Sequence, residues 1–504
     1  MSNRIFYSLS ALVFLLCLGF RLASLNPGPL TYDEGWSLRA ALGLYPVPAY
    51  PEDLSDDDFY IPFAPDLPAT ETFRPGDFRK FAQAKNIIPS VMTIDQGNGL
   101  LHVAQAFVWV KLLGHGDLVL RLNSLLYALL ALLALLYGGR RFFGPEVSIG
   151  AGLLYAVHPD LIRYAVDFRQ YSMALCLCFI SSFLLLEILA RRSKSTALIS
   201  AYVLATAASF FTHYLTAYVT LGQILLCLLI LRDRRRWLQL GLGGTLVLSL
   251  FAFWYRAGGK TGLKVMDIYS RSFAHRFQDS GIVEELFSPG NFGGELASFL
   301  VKIQGINPPY TLWGLLPAAF VLGVFVLCLR KVPPTAPMRF LLTLEIGSAL
   351  YILSSSISYG HFVAFSERYT LFVVGFSPLV LASVLRSGYL QRARWSLLIP
   401  WAFVLNLGSL TATSVDWITE HRSFDWEKAS ASRELAAELL KLDPLRQTVV
   451  YPSWTSAVIL SLALPESSEL EGVVRETPGG FVLVRERAGA KETPIRIPLP
   501  LKGR

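Results

Sequence analysis

Two adjacent carboxylates, Asp33 and Glu34, stand in Thr31-Tyr-Asp-Glu-Gly-Trp-Ser37, shortly beyond an apolar segment that ends at Ser24. A carboxylate so placed can accept the proton of an attacking hydroxyl. The same residues also read as an ordinary helix start, with Thr31 or Asp33 as the cap and Glu34 in the first turn. A second polar cluster, His158-Pro-Asp-Leu-Ile-Arg-Tyr-Ala-Val-Asp-Phe-Arg-Gln-Tyr171, is wedged between two apolar stretches with almost no loop. Ionisable residues such as Arg163, Asp167 and Arg169 are costly at membrane depth and usually face a polar cavity. Thr212-His213-Tyr214 and Ser366-Glu-Arg-Tyr369 form a third and a fourth cluster. A lone histidine at a helix end is more often an interfacial side chain than a ligand, so His213 gains weight only from its company. Two acids with several arginines suit a reaction between a charged lipid headgroup and a hydroxyl acceptor. The arginine fork matches phosphate oxygens and stabilises a phosphate that gains charge as it leaves.

The elements that must hold these clusters are membrane helices. Of 504 residues, 53% are hydrophobic and only 16% charged, with a mean hydropathy of +0.46, whereas a soluble domain carries roughly 25% charged residues. Apolar runs recur at 5–24, 117–138, 147–161, 172–190, 196–212, 215–231, 237–256, 310–329, 340–357, 370–385 and 395–412, which predicts about eleven crossings. Every second connection is short and basic: Arg140 and Arg141; Arg191, Arg192 and Lys194; Arg232 with Arg234 to Arg236; Arg330, Lys331 and Arg339; Arg386, Arg392 and Arg394. By the positive-inside rule these are cytoplasmic, as is the N-terminus with Arg4. The stretch 100–114 is apolar, but counting it as a crossing would move the Arg140–Arg141 loop outside, and its Lys111 suits a helix lying in the interface. All four clusters then face the extracytoplasmic side, together with loops 25–116 and 257–309 and the tail 413–504.

The predicted organisation is an all-α polytopic membrane domain over 1–412, followed by a small extracytoplasmic α/β or α+β domain over 413–504. In the tail, the apolar face of 424–442 predicts a helix, and TVVYPSW and GGFVLVRER predict strands. The N-terminal segment is basic and then apolar, but no A-x-A-type site closes it, so it reads as an uncleaved first span. The acidic run 52–58 reads as solvated surface. The net charge of +8 is spread between apolar runs, without the single basic face that nucleic acid requires. All five cysteines lie in apolar runs without metal-ligand spacing and read as packing residues.

The order of these motifs resembles the C-type membrane glycosyltransferases of the protein O-mannosyltransferase and lipid A aminoarabinose transferase type. The residues that carry the likeness are Tyr32-Asp33-Glu34-Gly35, then Val119-Leu-Arg-Leu-Asn-Ser124, then Pro159, Tyr164, Asp167, Arg169 and Tyr171, and finally Thr212-His213-Tyr214 and Arg368-Tyr369. It reaches across about 5–385. One departure is visible: where many members carry Pro-Pro ahead of the interfacial helix, this chain has Asp95-Gln-Gly-Asn-Gly-Leu100. The resemblance implies inverting transfer of a sugar from a polyprenyl-phosphate donor to a glycan, lipid or protein hydroxyl on the outer face. It implies Asp33 as catalytic base or as the residue that orients the acceptor, Glu34 as support for the acceptor, and Arg163, Arg169 and Arg368 as donor-phosphate ligands. Asp167, Tyr171, His213 and Tyr369 would support them. A divalent metal ion is left open as a cofactor, with Asp33 and Asp167 as its carboxylates. The competing readings are a transporter or flippase for a lipid-linked sugar and a non-catalytic scaffold. Transporters tend to show internal repeats and midplane sites, and the polar residues here sit at the outer rim.

Overall fold

In lipid the backbone must satisfy its own N–H and C=O groups, so long runs of Leu, Ala, Val and Phe fold as helices. The computed structural model describes residues 1–25, 32–42, 71–73, 84, 87–94, 98–114, 116–190, 195–260, 297–307, 312–330, 335–359, 367–390, 394–441, 449–451, 472–477 and 480–484. Its helices run, in chain order, α1 Asn3–Ser24, α2 Tyr32–Leu42, α3 Ile87–Ile94, α4 Leu100–Leu113, α5 Asp117–Phe143 and α6 Pro145–Val157. They continue as α7 Pro159–Arg163, α8 Tyr171–Ala190, α9 Thr196–Thr212, α10 Ala217–Ile230 and α11 Arg234–Trp254. The last are α12 Leu312–Leu329, α13 Ala336–Tyr359, α14 Glu367–Val374, α15 Ser377–Leu390 and α16 Leu398–Lys441. The described part of each stretch expected to cross the bilayer is largely helical, although 147–161 is broken at His158, between α6 and α7, and 370–385 by a turn at Gly375 and Phe376. Among the described residues, 6 helices are long and apolar enough to cross a membrane, and shorter apolar helices lie at 100–113, 145–157, 196–212, 214–230 and 316–329.

Contacts divide the chain into two units. The first comprises Met1–Leu25, Arg121–Arg256 and Lys264–Thr419. Its core gathers Val13 and Cys17 of α1, Leu154 and Tyr155 of α6, Phe179 of α8, Tyr218 of α10, Phe340 of α13 and Phe376. Helix α8 packs on α9, α10 on α13, α1 on α6, and α15 on both α6 and α12. The α10–α13 approach depends on glycine: a Cβ on Gly222 would lie 2.7 Å from the backbone Cα of Leu344. A buried polar knot adds to the packing, in which Gln223 donates to Ser181 (3.1 Å) and Ser182 (3.0 Å) and accepts from the Tyr202 hydroxyl (3.0 Å). All five cysteines are buried and unbridged.

The second unit comprises Asn26–Leu120, Ala257–Leu263 and Glu420–Arg504. In it α2 packs on α3 and α4, and α3 packs on α4. It also holds a four-stranded antiparallel sheet of order β1-β3-β4-β2, with β1 Glu71–Phe73, β2 Val449–Tyr451, β3 Gly472–Thr477 and β4 Gly480–Val484. Strand β1 comes from the segment ahead of α5 and pairs with β3 in register Glu71 to Val474. Strands β2 and β4 fall inside the two tail segments that the sequence marks as extended. The tail helix is not separate: α16 runs unbroken from the last apolar run to Lys441. No Gly or Pro occurs between Gly408 and Pro444 to stop it, and the helix ends just ahead of that proline.

Candidate active site

Pro159 sets the geometry of the second motif cluster. It cannot donate to the carbonyl of Tyr155, so α6 stops at Val157 and the chain restarts as the one-turn helix α7. That helix closes with Ile162 N donating to His158 O (2.9 Å) and Tyr164 N to Asp160 O (3.1 Å). A tight turn follows, in which Arg169 N donates to Asp167 O (2.7 Å), and Ser172 Oγ holds Tyr164 O (2.7 Å) as α8 begins. Ser124 Oγ of α5 donates to the carbonyl of Arg169 (3.4 Å). The backbone from 158 to 172 is therefore held from within and from a neighbouring helix.

The side chains of this turn form a run of rings flanked by guanidinium groups. Arg163 lies 5.5 Å from the Tyr164 ring centre, and Arg169 lies 5.9 Å from that of Tyr171. Tyr164 meets Tyr171 edge to face at 5.1 Å, Tyr171 lies 5.5 Å from His213, and His213 lies 5.1 Å from Phe372 of α14. Arg163 is exposed, Asp167 is half-buried, and Arg169 is buried. Aromatic faces attract guanidinium groups through their quadrupole, and the planar fork of a guanidinium matches the oxygens of a phosphate. His213 ends α9, and its Nδ1 accepts from Leu215 N (3.2 Å), so that nitrogen carries no proton in this arrangement. Next to it, Trp254 Nε1 donates to the Tyr214 hydroxyl (2.8 Å).

The structure thus gathers Arg163, Asp167, Arg169, Tyr171 and His213, which are separated in the sequence, at one end of the first unit. Helix α14, whose first turn contains Arg368 and Tyr369, packs on α7 and α8. The side chains of Arg368, Tyr369 and Asp33 lie outside the described residues. Glu34 is in α2 of the second unit and is 1% exposed, and Ser37, Ser90 and His102 of α2, α3 and α4 are buried there as well. Among the described residues no three His, Cys, Asp or Glu side chains gather as a metal site.

One pair of residues was not anticipated from the sequence. Lys302 Nζ lies 3.3 Å from Asp160 Oδ2, with side chains only 11% and 7% exposed. Lys302 belongs to a short stretch, 297–307, that enters the first unit and is fastened further along. Gln304 donates to Glu345 (3.2 Å), Asn307 donates to Ser409 (2.8 Å) and Thr413 (2.9 Å), and Asn406 donates to Gly305 O (2.8 Å). Gly305 has φ +75, and a Cβ there would lie 2.6 Å from Ser377 O. The available signal was a lysine set among Phe299, Leu300, Val301 and Ile303, a cation with no polar neighbour in sequence before Gln304.

Residues 103–255 match a family model described as dolichyl-phosphate-mannose-protein mannosyltransferase. That interval holds the 158–171 and 212–214 clusters and leaves out Asp33–Glu34 and Arg368–Tyr369. Among solved structures the chain is similar to ArnT from Cupriavidus metallidurans bound to undecaprenyl phosphate, with TM-score 0.55, 14% identity, and coverage of 90% of this chain and 84% of that one. The apo structure of the same protein gives TM-score 0.53 at the same identity and coverage. Among curated proteins, none matches the chain by sequence. The family match over 103–255 and the likeness in fold to ArnT point to the same kind of protein that the motif order resembles. The resemblance to the protein O-mannosyltransferase and aminoarabinose transferase type, implied by the order of motifs, holds.

Proposed function

We propose that this protein moves a sugar from a polyprenyl-phosphate donor to a hydroxyl acceptor on the extracytoplasmic face, with inversion at the anomeric carbon. The observation that carries the reading is the 158–172 turn, which supports Arg163 and Arg169 on tyrosine faces in a fold like that of a protein solved with undecaprenyl phosphate. Asp33 takes the proton of the acceptor hydroxyl, and Glu34 supports the acceptor. The hydroxyl oxygen attacks the anomeric carbon while the bond to the phosphate oxygen breaks. Arg163, Arg169 and Arg368 take up the charge that develops on that phosphate. Asp167, Tyr171, His213 and Tyr369 hold these groups in place. Asp33 and Asp167 are the carboxylates that would bind a divalent ion, and repeating the assay with a chelator tests whether transfer uses one. The acceptor is a cell-envelope glycan, a lipid or a protein.

The reading includes about eleven crossings, an inside N-terminus, and a tail from 413 that shares the outer compartment with the large loops. The β1–β3 pair supports it, because two strands can pair only on one side of a bilayer. An even number of crossings must then separate Phe73 from Gly472. The ten apolar runs between 117 and 412 satisfy that condition, and adding 100–113 would break it.

The test is a transfer assay with purified protein in lipid, offering labelled sugars on a polyprenyl phosphate to wild type and to Asp33→Asn. Transfer by wild type and none by the variant is expected. Translocation of donor by both proteins without consumption would replace the transferase by a lipid-sugar transporter.

A further inference from the structure

Where Pro159 interrupts α6, carbonyls that would be capped by the next helical turn need other donors. Arg21 of α1 supplies most of them. Its Nη1 donates to Ala156 O (3.1 Å) and Cys17 O (3.3 Å), and its Nη2 donates to Tyr155 O (3.4 Å) and Leu161 O (3.3 Å). The guanidinium carbon lies 5.0 Å from the centre of the Tyr155 ring. Ser414 Oγ of α16 donates to a further carbonyl, Val157 O, at 2.6 Å. Arg21 is 0% exposed, and among the described residues no carboxylate pairs with it.

A buried guanidinium whose partners among the described residues are carbonyls and one tyrosine ring is a costly device inside a membrane bundle. A residue other than proline at 159 would supply the Tyr155 bond through its own N–H and make the arginine unnecessary there. The break and the cation therefore belong together, and what they produce is a separate α7. Arg21 grips both sides of the break, Tyr155 and Ala156 on α6 and Leu161 on α7. Two residues after Leu161 comes Arg163, and the turn to Arg169 follows.

We infer that Arg21 is a positioning residue, which holds the α6–α7 break in the geometry that presents Arg163 and Arg169 together to a lipid phosphate. It touches no reacting atom. The ligand in this statement rests on the proposed function, whereas the support given to the break does not.

The experiment compares wild type, Arg21→Met, Pro159→Ala and the double variant in lipid nanodiscs, with Arg21→Lys as the milder change if Arg21→Met does not yield folded protein. Two quantities are read: amide hydrogen exchange over 159–170, and binding of undecaprenyl phosphate. Arg21→Met should speed exchange in that segment and weaken binding by about tenfold or more, since small displacements of positioned groups have large effects. Arg21→Lys keeps the charge but cannot reach carbonyls on both sides of the break, so it should show the same changes in smaller degree. Adding Pro159→Ala should restore thermal stability by allowing a continuous helix, while binding stays weak because α7 is no longer set apart. Recovery of binding along with stability would reduce Arg21 to a structural role and overturn the inference. Unchanged exchange over 159–170 in the arginine variants would overturn it as well, whatever the ligand. Failure of wild type itself to bind undecaprenyl phosphate would instead remove the proposed donor, and the exchange measurement would still decide the part played by Arg21.

Discussion

Lys302→Met should be among the most destabilising single substitutions in the first unit, because it strands the Asp160 carboxylate. The N···O separation of 3.3 Å, with side chains 11% and 7% exposed, makes this a desolvated pair. At an effective dielectric of about 20, charges at that distance attract by about 5 kcal/mol, and the desolvation of both groups offsets much of it. The net value of the pair is therefore small, while removal of one partner costs about 3–5 kcal/mol, since an uncompensated carboxylate remains in the bundle. Asp160→Asn together with Lys302→Met leaves no stranded charge and should return most of the loss. Reversible unfolding in mixed micelles, titrated with a denaturing detergent, would give the four corners of the cycle. The expected coupling energy is about 2–3 kcal/mol. A Lys302→Met cost below about 0.5 kcal/mol, or a double variant equal to the sum of the singles, would show that the contact is not a working ion pair and refute this argument.

Two further changes address the site and the packing. Arg169→Ala should weaken donor binding or the transfer rate by about 2–4 kcal/mol, read as the change in kcat/KM for the lipid-phosphate sugar, and unchanged kinetics would shift the phosphate role to Arg163 or Arg368. Gly222→Ala should cost about 1–3 kcal/mol of stability, because the new Cβ would meet the backbone of Leu344 at 2.7 Å, and a detergent unfolding midpoint equal to wild type would show that α10 and α13 can separate without loss.

Sequence alone determined the membrane class, the helical segments and the four polar clusters, because lipid imposes one rule on every apolar run and penalises every charge inside it. The match between expected spans and observed helices follows from that rule, as does the apolar character of the cysteines. The motif order carried the likeness to membrane glycosyltransferases even though the family match covers only 103–255. Sequence could not give the partners of those residues. In the sequence Arg21 is one basic residue near the end of the first apolar run, and only the packing of α1 on α6 makes it the cap of a broken helix. Lys302 carried no motif, and its meaning came from a carboxylate more than a hundred residues away. The ring contacts from Tyr164 to Phe372 join three separate stretches of chain. The pairing of Glu71–Phe73 with a tail strand was equally hidden, because a three-residue strand has no periodicity of its own to read. Local pattern depends on the solvent that each segment meets, and tertiary structure decides which carbonyl, ring or charge stands opposite.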